Sequence, residues 1–151
     1  MSYIEKYLMN NEKIMYRAKL HGFIFFIPCL LAVVFFFIGI STPIISLGWI
    51  MFIFGLLFVI VPFLIYKTSE FAVTNKRVIV KTGLFVRNSV EILLQKVEGV
   101  QIHQGILGRM LDFGIVKITG TGGTGEQFKN IAMPFKFRSC IQEQIDKYQN
   151  K

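Results

Sequence analysis

Two unbroken apolar runs dominate the N-terminal half of the chain. Gly22–Ile40 reads GFIFFIPCLLAVVFFFIGI and Ile44–Ile65 reads IISLGWIMFIFGLLFVIVPFLI, and no Asp, Glu, Lys or Arg occurs from Gly22 to Tyr66. Neither run carries the polar stripe of a surface helix, so both predict helices that are apolar on every face. At about 1.5 Å per residue they would extend roughly 28 and 33 Å, close to the ~30 Å hydrocarbon core of a bilayer. Only Ser41-Thr42-Pro43 separates them. Proline lacks an amide donor and disfavours helix at the residue before it, so a break falls here, and so short a connection permits only an antiparallel hairpin. Pro28 and Pro62 lie inside the runs and are expected to kink them.

Beyond Lys67 the pattern becomes short β-rich runs separated by turn residues. Phe71-Ala72-Val73 and Arg77-Val78-Ile79-Val80-Lys81 flank Thr74-Asn75-Lys76 as a hairpin, and Gly83 turns the chain into a strand within Leu84–Leu94. Val97, Val100 and Ile102 predict another strand with Gly99 as a bulge, Gly105–Asp112 is long enough only for a helical turn, and Gly114–Thr119 and Gln127–Met133 are further strands. From Pro134 the spacing changes. Phe137, Ile141, Ile145 and Tyr148 recur at helical intervals opposite Arg138, Gln142, Glu143, Asp146 and Gln149. The order is therefore antiparallel strands followed by one C-terminal helix, which suits a small barrel plugged by that helix.

Charge supplies an orientation. The net charge of +8 is distributed as +2 over residues 1–21, where Lys6, Lys13, Arg17 and Lys19 oppose Glu5 and Glu12, and +6 over residues 67–151. The connection between the apolar runs is uncharged while both outer flanks are basic, which places both termini on the cytoplasmic side. The basic balance is thereby accounted for without nucleic acid. The apolar stretch is too long for a cleaved signal peptide and is followed directly by a second one.

Candidate chemistry is sparse. Cys29 lies in the first apolar run and Cys140 near the C-terminus, which argues against a disulfide, and neither has metal-binding spacing. Gly120-Thr121-Gly122-Gly123-Thr124-Gly125 spells GxGxxG, but the run after Gly125 has no helical stripe, so the segment reads as a strand-to-strand turn rather than a dinucleotide site. His103 and His21 have no acid or nucleophile at motif spacing, and Glu91, Glu98 and Asp112 are scattered. No catalytic, cofactor or metal residues are assigned. Lys76, Arg77, Lys81, Arg87 and Arg109, with Lys96, form a candidate basic face toward anionic headgroups or a partner. Alternation with Val78 points Arg77 outward.

Several segments resemble a known family. Leu8-x-x-x-Glu12 and Tyr16-Arg17-Ala18-x-Leu20-His21 precede the first apolar run, and Ser69–Ile79 reads SEFAVTNKRVI, followed by Lys81-Thr82-Gly83. Val90–Leu94, Lys96-Val97-Glu98, Gln104–Arg109, Phe113-Gly114 and Gly120–Gly123 continue the match. Together these resemble the bacterial PH-like membrane proteins of the YdbS-like family. Gly22 and Ala132-Met133-Pro134 depart from the usual pattern, which often has an aromatic residue at the first place and an acidic one before the proline. The resemblance implies a PH-like barrel of about seven antiparallel strands capped by a C-terminal helix. The expectation is a cytoplasmic segment over 1–21, a transmembrane hairpin over 22–66 (helices at 22–40 and 44–65) and a cytoplasmic PH-like domain over 67–151. Its task would be non-enzymatic binding or scaffolding at the bacterial inner membrane. The alternative is a subunit of a membrane transport or envelope-stress assembly packing through its hairpin. Expected partners are the bilayer, a protein partner or second copy of the chain, and anionic lipid headgroups, with no nucleic acid and no cofactor.

Overall fold

The structure, a computed structural model, describes residues 3–42, 45–83, 88–123 and 125–149. The chain divides into two compact units, one formed by Met1–His21 together with Ser69–Lys151 and the other by Gly22–Thr68. Residues 1–21 read from the sequence as a segment apart. In the structure they belong to the same unit as the strands.

The second unit is a helical hairpin. A single 3-10 turn (Gly22–Phe25) leads into α2 (Phe26–Ser41), and α3 runs Ile45–Thr68. Pro28 falls in the first turn of α2, where no helical hydrogen bond is lost, whereas Pro62 lies inside α3. The two helices approach closely where side chains are smallest. A Cβ on Gly48 would sit 2.8 Å from the Gly39 carbonyl oxygen, and one on Gly55 would meet the Ala32 carbonyl oxygen at 3.3 Å. Hydroxyls at the end of α2 fold back on the helix, Ser41 Oγ donating to the Phe37 carbonyl at 2.8 Å and Thr42 Oγ1 to that of Gly39 at 2.8 Å. Both hydroxyls are thus satisfied within their own helix.

The first unit begins with a short helix, α1 (Tyr3–Lys6), and a strand, β1 (Ile14–Ala18). The strands after the hairpin are β2 (Glu70–Thr74), β3 (Arg77–Thr82), β4 (Asn88–Leu93), β5 (Val97–His103), β6 (Phe113–Gly120) and β7 (Gly125–Ala132). A six-residue α4 (Ile106–Leu111) joins β5 to β6, and α5 (Pro134–Gln149) ends the unit. All pairings are antiparallel, in two sheets ordered β1-β2-β3-β4 and β5-β6-β7. Gly99 marks a register irregularity in β5, as a bulge glycine should.

A closed barrel is not formed. The chain passes from β4 to β5 through one 3-10 turn (Leu94–Lys96), and these two strands lie in different sheets instead of pairing. On the opposite side an isolated bridge between Leu20 and Ile131 links the sheets, with the Ala132 amide donating to the Lys19 carbonyl at 3.0 Å and the His21 amide to that of Asn130 at 2.7 Å. Phe137 and Ile141 of α5 are fully buried with Phe71, Val73, Val78, Val80, Val116, Ile118 and Ile131. The helix closes the core that an open pair of sheets would leave wet.

Burial in β2 and β3 does not alternate: four consecutive residues, Phe71–Thr74 and Arg77–Val80, are buried in each. Register explains why. Phe71 pairs with Val80 and Val73 with Val78 on the core face, while Ala72 pairs with Ile79 on the other. That second face is covered by the N-terminal segment, where Ile4 clusters with Ala72 and Ile79 and Leu8 and Ile14 pack against them. Burying a side chain such as Ile4 contributes about 1.5–3 kcal/mol.

Arg77 lies on this covered face, and its guanidinium fixes the segment in place. Nε and Nη2 donate to Glu12 Oε1 and Oε2 at 3.0 and 2.9 Å, Nη2 also to the Tyr7 carbonyl at 2.9 Å, and Nη1 to Glu91 at 2.5 Å. Glu12 additionally accepts the Met9 amide at 2.7 Å and lies 2.7 Å from the Thr74 hydroxyl. Side-chain exposure is 6% for Arg77 and 0% for Glu12. Removing one partner of such a pair leaves a buried charge exposed to an apolar surround, a cost of about 3–5 kcal/mol, whereas an exposed pair is worth about 0–1 kcal/mol. Glu12→Ala is therefore expected to destabilise the full chain by ~3–5 kcal/mol, and Glu5→Ala, at the exposed contact with Arg17, by no more than about 1 kcal/mol. Denaturant unfolding in mild detergent, followed by near-ultraviolet circular dichroism, measures both.

Candidate functional site

Among the described residues, the basic positions singled out in the sequence differ in exposure, and Arg77 is buried. Arg77 projects to the side that alternation predicts, but the N-terminal segment occupies that side, so its charge is spent on Glu12 and Glu91. Lys76, beside it in the β2–β3 turn, directs Nζ to the Asn10 carbonyl at 2.8 Å. Asn75 completes the clasp, accepting the Lys13 amide at 2.9 Å and donating to the Asn11 carbonyl at 3.1 Å. Lys81 is half-buried on β3, opposite Glu70 in the register. Arg87 lies outside the described residues. Arg109 is exposed on α4, which connects strands of the other sheet. The turn Thr74–Arg77 is thus a receptor for the chain's own residues 7–13. What the sequence reading missed was Glu12, the one buried carboxylate among the described residues, whose signal was its place in the Leu8-x-x-x-Glu12 pattern.

A different surface is open. The outer face of the three-stranded sheet carries a shallow groove of about 560 Å³ lined by Gln101, Ile102, His103, Ile115, Lys117 and Gln127. Alternation along β6 produces it, because Gly114, Val116 and Ile118 turn into the core and leave Ile115 and Lys117 outside. β5 borders the groove and is an edge strand among the described residues, so its backbone groups on that side are available for pairing. The lining offers amides, an imidazole, an ammonium and apolar carbon, but no carboxylate or thiol. Such a lining can recognise a ligand by hydrogen bonds and apolar contact.

Other candidate chemistry is disposed of by position. Gly120 ends β6 and Gly125 opens β7, so the glycine-rich run is the turn of a hairpin, with positive φ at Gly122 and Gly123. Among the described residues no group of three His, Cys, Asp or Glu could hold a metal ion. Burial pushes the Cys140 thiol up, with Glu143 adding to the shift against the opposing Lys147, which keeps the sulfur protonated and a poor nucleophile.

Comparison with known families adds one finding. The Bacterial PH domain family matches residues 23–148. The chain belongs to the bacterial PH domain family. Comparison with curated proteins and with solved structures gives no match. The bacterial PH domain accordingly combines antiparallel sheets and a C-terminal helix with two apolar helices that precede β2.

The clasp in this PH domain carries a titration. Burial alone would raise the Glu12 carboxyl, but hydrogen bonds from Arg77, the Met9 amide and Thr74, with the Arg77 charge, hold it below its ordinary value of 4.5. The same contact with Glu12 raises the Arg77 guanidinium, against desolvation. The unfolded chain therefore takes up a proton at Glu12 before the folded chain does. The stability this supplies is complete above about pH 4.5 and is lost as pH falls below that value through the lower folded-state range. Thermal melts of the full chain across that range are expected to show an acid-side loss that Glu12→Gln, already weaker at neutral pH, shows to a smaller degree. An identical acid-side slope in the variant would remove Glu12 as its source.

Proposed function

We propose that this PH domain is a non-enzymatic binding module anchored in the bacterial inner membrane by α2 and α3, with both termini in the cytoplasm. The observation that carries this reading is the hairpin's uncovered surface. Gly22–Ser41 and Ser46–Thr68 have mean hydropathies of 3.0 and 2.6, and only 0% and 6% of their most apolar windows are buried. A core helix of a soluble protein with such composition would be enclosed. Here the β unit has its own core, and the hairpin's apolar side chains are largely exposed, which supports a bilayer as their solvent. The basic flanks and uncharged connection support the orientation. The sequence resemblance to the YdbS-like branch supports the same arrangement.

Binding is assigned to the open face of β5-β6-β7. PH domains as a class are binding modules, and here the groove around His103 and Lys117 adjoins an edge strand that can accept an extended segment of a protein partner. The basic residues do not support a headgroup site in the same way, since Arg77 and Lys76 are engaged with the N-terminal segment. Assembly through the hairpin gains little from its glycines, because Gly39, Gly48 and Gly55 are used in the contact between α2 and α3.

One experiment tests both halves. A photo-crosslinking residue replaces His103 in the full chain, and membranes are irradiated in intact bacteria and then washed with alkaline carbonate. The reading predicts that the chain stays in the membrane pellet and that position 103 yields a discrete protein adduct, absent when the same group replaces Glu143 on α5. Release by carbonate would contradict the anchor. Adducts at both positions or at neither would contradict the assigned face.

A further inference from the structure

Helix α4 presents the most exposed apolar side chains of the β unit. Ile106 and Met110 are 82% and 77% exposed, and Leu107 and Leu111 lie beside them at 54% and 47%. Soluble surfaces rarely concentrate large apolar groups in this way. Their outward position is built into the fold. Gly108 faces the sheet, where a Cβ would come 2.5 Å from the Phe113 carbonyl oxygen. Gln104 ties the two strand connections together, donating to the Phe113 carbonyl at 3.0 Å and to the Gly108 carbonyl at 3.3 Å. The glycine side must therefore face in, and Ile106 and Met110, about half a turn away, must face out.

The surroundings of α4 say what covers it. Asp112 follows the helix directly, and its carbonyl accepts the Met133 amide at 2.9 Å, bringing exposed Met133 and Phe135 to the same end of the unit. Phe113 stacks on His21 with ring centroids 5.1 Å apart. His21 is the last residue before the apolar run that begins at Gly22. If that run enters the bilayer, the peptide bond between residues 21 and 22 holds His21 at the membrane boundary. The surface built around Phe113 is then carried to the same depth. Exposed Lys19 and Arg109 add cations to this apolar edge, the combination that suits an interface with anionic headgroups.

We propose that Ile106, Leu107, Met110 and Leu111 of α4 enter the lipid interface, as a second membrane contact in addition to the hairpin. The proposal rests on the reading of α2 and α3 as membrane spans. It gives the β unit a fixed face toward the bilayer and a distinct role for the α4 turn, which the sequence marks only as GILGRMLD.

The chain's single tryptophan, Trp49, makes the test direct. The full chain is reconstituted in vesicles of ordinary or brominated phosphatidylcholine containing phosphatidylglycerol. Three proteins are compared: the native chain, Trp49→Phe with Met110→Trp, and Trp49→Phe with Thr121→Trp. Thr121 lies past the far end of β6, roughly 26 Å along the strand from Phe113. Ile106→Trp in place of Met110→Trp repeats the measurement at a second exposed position. Brominated lipid is expected to quench the tryptophan at 110, or at 106, as it quenches Trp49, and to leave the one at 121 unchanged. Quenching of Trp49 without quenching at 110 and 106 would overturn the proposal and leave the anchor standing. A tryptophan at 110 shielded from both brominated lipid and aqueous iodide would overturn it in favour of a protein cover. Absence of quenching at Trp49 as well would overturn both readings.

Discussion

The ion pair between Arg77 and Glu12 makes the N-terminal segment part of the β unit rather than a mere lead-in to the apolar hairpin. Two buried charges cost several kcal/mol each to take out of water, and the attraction between them repays this only when the remaining hydrogen-bonding groups are also satisfied. Here they are: Glu12 receives Arg77 twice, the Met9 amide and Thr74, while Arg77 also reaches the Tyr7 carbonyl and Glu91. Such a pair adds little net stability over apolar residues of the same size. Its effect is on alternatives. Any register that separates residues 7–12 from the Thr74–Arg77 turn leaves a charge unpaired in a dry place. Ile4, Leu8 and Ile14 then cover Ala72 and Ile79, and β2 and β3 become buried on both faces.

The β1–β2 pairing defines which strand ends the hairpin joins. β1 pairs with β2 so that Ala18 opposes Phe71, which brings residues 21 and 69 to the same end of one antiparallel pair. The apolar helices thus occupy the place of a β1–β2 turn. A PH domain built this way receives two connections to its hairpin from adjacent strand ends. The open face of β5-β6-β7 belongs to the other sheet, attached on one side by the Leu20–Ile131 bridge and closed beneath by α5.

Much of the fold was legible from residue patterns. Continuous apolarity gave the two helices, period-two runs with Gly99 and the Thr74-Asn75-Lys76 turn gave the later strands, and the spacing of Phe137 and Ile141 gave α5. β1 was not legible, because Ile14-Met15-Tyr16-Arg17-Ala18 is short and pairs with residues more than fifty positions away. The barrel expectation failed for a related reason. Pairing of β4 with β5 depends on the path of Leu94–Lys96, which local pattern does not encode. Arg77 is the instructive case at the site. Alternation gave its face correctly, but a period-two argument assumes that the face away from the core is wet. It cannot register a covering segment from elsewhere in the chain. The α4 patch was hidden differently, since GILGRMLD reads only as a helical turn, and which side its apolar residues take follows from Gly108 facing the sheet.

The central claim is that residues 1–21 and 69–151 form one folding unit and the hairpin is an insertion into it. Replacing residues 22–68 with a short Gly/Ser linker, and comparing this chain with residues 69–151 alone by denaturant unfolding, tests it most directly. The account predicts that the linked chain is soluble and unfolds in one cooperative transition, while 69–151 alone shows none. A cooperative transition of equal midpoint in 69–151 alone would contradict it.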